Sequence, residues 1–127
     1  IPFMIYAPGW LDSAKTFDMI GGQIDIFPTV MGLLRYPYTN NTFGIDLLRE
    51  SRPATFFTED NKMACLNKEY MYVISLGKDE YLYHYSTGDT RNIINENRGI
   101  ADSLKFYMFP MLQGAQWMFE KNLTGIK

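Results

Sequence analysis

Four short strand-like segments lie between residues 54 and 86, each only a few polar residues from the next. Residues 54–58 (ATFFT), 63–67 (MACLN), 70–76 (YMYVISL) and 80–86 (EYLYHYS) are rich in aromatic and β-branched side chains, which suit a pleated, half-buried surface. Residues 59–62 (EDNK), the stretch around Asn67-Lys68-Glu69, and 77–79 (GKD) read as turns. Connections this short leave no room for a crossover, so neighbouring strands must pair antiparallel. Alternation in the last segment puts Tyr81, Tyr83 and Tyr85 on one face and Leu82 and His84 on the other.

A small sheet of this kind needs a cover for one face. From Gly99 onward, Ile100, Leu104, Tyr107, Met108, Met111, Leu112, Ala115, Met118 and Phe119 recur at spacings of three and four. This predicts an amphipathic helix, in one piece or bent at Pro110, lying on the sheet. The polar stretch 87–98 connects the two.

The first part of the chain has a different character. Residues 2–7 (PFMIYA), closed by Pro8-Gly9, form an apolar run of the kind found in strands buried on both faces. Such a strand belongs in a larger sheet, whose other strands would lie upstream. A polar loop over residues 10–20 and Gly21-Gly22 lead into a helix start at Asp25. There a carboxylate can cap the first free N–H groups, and Pro28 is tolerated in the first turn. Apolar residues at helical spacing continue to Leu34, and Pro37 should end the helix near Arg35-Tyr36. Residues 37–44 read as a loop and 45–48 as a short turn.

The expected class is therefore α/β, or α+β for this chain taken alone. Residues 1–53 would be the end of an α/β core, and residues 54–127 a small antiparallel sheet with its covering helix, together one incomplete domain. The first residue is Ile1 rather than Met, which fits a piece of a longer protein. Aromatics make up 16% of the chain. That content asks for an aromatic-rich core or for a surface that something else covers.

Charge excludes some functions. The net charge is −2, with Lys and Arg scattered rather than gathered into a basic stripe, so no nucleic-acid partner is expected. No apolar run approaches the roughly 18 residues of a membrane span. Cys65 is the one cysteine, so no internal disulfide can form, and it reads as a small buried strand residue. His84 is the one histidine and reads as a strand residue with no neighbouring carboxylate to orient it. Glu59-Asp60 and Asp79-Glu80 read as solvated hairpin tips. Gly21-Gly22 before a helix could cradle an anion, but Asp25 would repel it. Asn40-Asn41-Thr42 and Asn122-Leu123-Thr124 match the glycosylation sequon, a pattern frequent by chance. No catalytic, cofactor-binding or metal-ligating residue is assigned.

Three motifs, in order, carry a family resemblance. They are residues 1–9 (IPFMIYAPG), residues 22–34 (GQIDIFPTVMGLL) and residues 43–48 (FGIDLL). Together they resemble the C-terminal part of sulfatase / alkaline-phosphatase superfamily enzymes, most closely the lipoteichoic acid synthase-like phosphoglycerol transferases. Tyr81-Leu82-Tyr83 with Asp89 and Asn92-Ile93 is a fainter echo of the close of many sulfatases, with His84 where that family has Asp. Arg35-Tyr36 stands where the family has Gly after the helix.

The resemblance implies a parent with a large mixed sheet and a small C-terminal antiparallel sheet packed by a helix. It implies a metal-dependent enzyme acting on sulfate or phosphate esters, either a phosphoglycerol or phosphoethanolamine transferase or a sulfuric ester hydrolase. A Thr, Ser or formylglycine nucleophile would be activated by a divalent metal (Mn, Ca, Mg or Zn). Those residues would lie upstream, leaving this chain inactive alone and partnered by the missing N-terminal catalytic part. The parent would be a membrane-anchored, extracytoplasmic bacterial protein. In the motif, Asp25 would cap the helix and Pro28-Thr29 would shape its first turn. Loop residues 36–41 could face the parent's site. The alternative is a non-catalytic binding or oligomerisation module that uses an aromatic sheet face or an exposed strand edge.

Overall fold

A computed structural model describes residues 2–125. It contains four strands and two helices: α1 (Ile26–Leu34), β1 (Thr55–Glu59), β2 (Lys62–Leu66), β3 (Met71–Ser75), β4 (Glu80–Tyr83) and α2 (Arg98–Glu120). The strands form one antiparallel sheet in the order β1-β2-β3-β4. The protein is thus a mixed α+β fold.

The register sorts the side chains into two faces. Cys65 lies opposite Tyr72, and Tyr72 opposite Leu82. All three are fully buried beneath α2, with Ile74, Ala54 and Ile94, against Ala101, Leu104 and Met108 of the helix. The helix runs unbroken through Pro110, so the sequence's second option, two bent pieces, is not used. The opposite sheet face carries Phe57, Ala64, Val73 and Tyr81 in one row across the strands. Tyr81 and Tyr83 stack on that face with centroids 6.2 Å apart and rings 3° from parallel.

β4 ends at Tyr83, three residues before the expected Ser86. His84 leaves the extended region (ψ 70°), and Tyr85–Thr87 curl into a 3-10 turn. Residues 92 and 93 take over the outer edge of β4. The Asn92 side-chain oxygen accepts from the Leu82 N–H at 3.0 Å, and the Ile93 N–H donates to the Leu82 carbonyl at 2.9 Å.

The strand expected over residues 2–7 is absent. Met4 is 85% and Tyr6 91% exposed, and among the described residues the segment joins no sheet. The physical reason is simple: a strand exists only beside another, and the four-stranded sheet does not lend residues 2–7 an edge. Ile1, the first residue of that motif, lies outside the described residues.

α1 begins after a 3-10 turn at Gln23–Asp25, as its pattern predicts, and closes at Leu34. Arg35 follows in the left-handed conformation (φ 53°), with its N–H on the Gly32 carbonyl and the Tyr36 N–H on the Met31 carbonyl. Glycine adopts this conformation without a Cβ clash. Arg35→Gly is therefore expected to raise unfolding stability by about 1 kcal/mol, measured by urea denaturation. An unchanged or lower midpoint would show that the Arg35 side chain has a compensating contact.

Candidate functional site

The best-built polar site joins α1 to the turn that follows it. Asp25 is fully buried. Its Oδ2 accepts from the Gly22 N–H at 2.7 Å, and its Oδ1 accepts from the Ile45 N–H at 2.9 Å and from the Arg52 guanidinium. Arg52, whose side chain is only 4% exposed, also donates to the Phe43 carbonyl at 2.9 Å. Its Nε and Nη1 are buried without a hydrogen-bond partner. The Tyr107 hydroxyl of α2 lies near the same guanidinium. Burial makes that hydroxyl harder to ionise, and the Arg52 charge offsets part of the effect.

Asp25 makes no side-chain capping bond to α1 itself; its carboxylate instead takes the Gly22 N–H, a capping-box bond at the start of the 3-10 turn that leads into the helix. A buried carboxylate stays ionised only with strong partners, and Arg52 with two backbone N–H groups supplies them. The Gly22 N–H that could have greeted an anion is taken by Asp25 itself.

Thr29 repeats the pattern one turn later. Its hydroxyl oxygen accepts from the Leu47 N–H at 3.1 Å, and its O–H donates to the Ile45 carbonyl at 3.4 Å. Asp46 is buried against Gly32, accepts from the Leu48 N–H at 3.0 Å, and has Arg49 Nη1 at 3.4 Å from its other oxygen. Residues 25–32 and 43–49 are thus laced together, and Arg52 fastens them to the start of the sheet. Phe43 then seats its ring on α2 at Gly114, where a Cβ would come within 3.1 Å.

A second cluster lies at the other end of α2. Glu80 Oε1 accepts from the Tyr72 hydroxyl at 3.0 Å and from Lys105, and Oε2 meets Arg98 at 2.6 Å. Arg98 also pairs with Asp102 at 3.2 Å. The Glu80 side chain is only 16% exposed, so the solvated reading holds for Asp79 but not for Glu80. Strand alternation puts Glu80 on the helix-facing side with Leu82, where two cations of α2 meet it.

The Lys105 hydrogen bond, followed by those from Tyr72 and Arg98, holds the Glu80 carboxyl below its ordinary pKa. A depressed carboxylate pKa contributes stability above the unfolded pKa, and that stability is lost as pH falls through the folded value. Unfolding stability should therefore drop as pH is lowered through the acid range, and Glu80→Gln should cost about 1–2 kcal/mol at pH 7. The variant should also show a shallower loss in acid. Parallel pH profiles for the two proteins would contradict this role.

The remaining candidates are structural. Cys65 is fully buried, and burial pushes its thiol up to about 12, far from a reactive thiolate. His84 stacks on Tyr70 at 4.5 Å with rings 15° apart. Asp89 is held down to about 2 by Arg91, its partner in an exposed ion pair. Glu59 and Asp60 are exposed at their hairpin tip. Asn40 folds back on its own loop, donating to the Gly44 carbonyl at 2.7 Å, while Asn122 is exposed. Within loop 36–41, Tyr36 is 65% exposed, and Tyr38 meets Phe27 edge-on at 5.3 Å. Among the described residues no three His, Cys, Asp or Glu side chains converge on a common point, and no helix is long and apolar enough to cross a membrane.

Compared with protein-family models and with characterised proteins, the sequence finds no match.

Proposed function

We propose that this chain is the C-terminal portion of a metal-dependent enzyme of the sulfatase / alkaline-phosphatase superfamily, closest to lipoteichoic acid synthase-like phosphoglycerol transferases. The parent transfers or hydrolyses phosphate or sulfate esters at an extracytoplasmic site. This portion supplies scaffold rather than catalytic groups.

One observation carries the reading. The two family-like motifs at residues 22–34 and 43–48 are not independent strings, because Asp25 and Thr29 of the first bind the Ile45 and Leu47 N–H groups of the second. Their mutual engagement supports reading the two motifs as one structural unit. The exposed surface supports the same reading. α1 has no charged residue, and on the side away from its turn it exposes Ile26 (41%), Phe27 (58%) and Leu34 (48%). A helix apolar on both sides belongs inside a larger body. Residues 2–7, equally uncharged and unpaired, have the composition of a strand awaiting neighbours.

The test is in the gene. Roughly 20–30 residues upstream of Ile1, a window sized by motif spacing, the reading expects an Asp-His pair followed by a further His. An in-frame upstream sequence without such ligands would overturn it. So would purified chain that turns over an aryl phosphate or sulfate with added manganese, calcium, magnesium or zinc.

A further inference from the structure

We draw no further inference here: the strongest candidate, the apolar groove between α2 and the start of β1 with exposed Phe106 among its walls, is an open surface, and nothing in the structure shows what covers it.

Discussion

Replacing Arg52 with alanine is expected to cost about 3–5 kcal/mol, the usual consequence of removing one partner from a buried ion pair. The loss has three parts. The Asp25 carboxylate, fully buried, would keep only its two backbone donors. The Phe43 carbonyl would lose its donor. The space of a nearly fully buried guanidinium would be left beside Tyr107. For a domain of this size the cost is a large fraction of the roughly 5–15 kcal/mol of total stability. Chemical denaturation of the two proteins would measure it. Removing both charges, as in Asp25→Asn with Arg52→Met, should cost clearly less than Arg52→Ala, because no uncompensated charge remains inside. If Arg52→Ala cost under about 1 kcal/mol, the range of exposed pairs, the pair would not be the fastening described above.

The second large effect is expected at Gly44. A Cβ there would overlap the Ile24 carbonyl oxygen and come within 2.9 Å of the Pro28 ring. Neither is the far end of a flexible side chain: one is backbone leading into α1, and the other is a ring buried in its first turn. Gly44→Ala must therefore push the 43–48 turn away from α1. That would stretch the Ile45–Asp25 and Leu47–Thr29 hydrogen bonds at the same time. A loss of about 3 kcal/mol or more is expected, at the upper end of overpacking costs because the clash falls on backbone. Gly99→Ala serves as the control, since a Cβ there meets nothing within 4 Å. It should be neutral or slightly stabilising in its helix.

Much of the fold is written locally. The hairpins were legible because each turn is short and polar and each strand has its own pattern. The observed pairs Glu59↔Lys62 and Ile74↔Glu80 close where the turns were expected. α1 was legible from its apolar period and from the Pro37 that follows it, and α2 from roughly five turns of apolar spacing between Ile100 and Phe119. What was not legible depended on distant partners. Asp25 looked like a helix cap because its true partner, Arg52, lies 27 residues further on. Glu80 looked solvated because the cations that turn it inward lie on α2, with Lys105 25 residues away. Residues 2–7 looked like a strand because their composition is that of one, yet composition cannot provide a neighbour. In each case the local signal was sound, and a tertiary contact, present or missing, decided the outcome.

The Asp25–Arg52 fastening bears on the proposed parentage. The fastening holds α1 in position against its turn, and α1 in turn leaves Ile26, Phe27 and Leu34 exposed. A scaffold rigid enough to present an apolar helix is what a terminal portion of a larger α/β body requires.

The most direct measurement of that claim compares amide hydrogen exchange in this chain with exchange in the protein expressed from the full reading frame. The account predicts strong new protection of residues 2–7 in the longer protein, as expected for a strand gaining neighbours, with slower exchange also across α1. The sheet, protected in both, should be unchanged. Residues 2–7 exchanging as fast in the longer protein as in the isolated chain would contradict it.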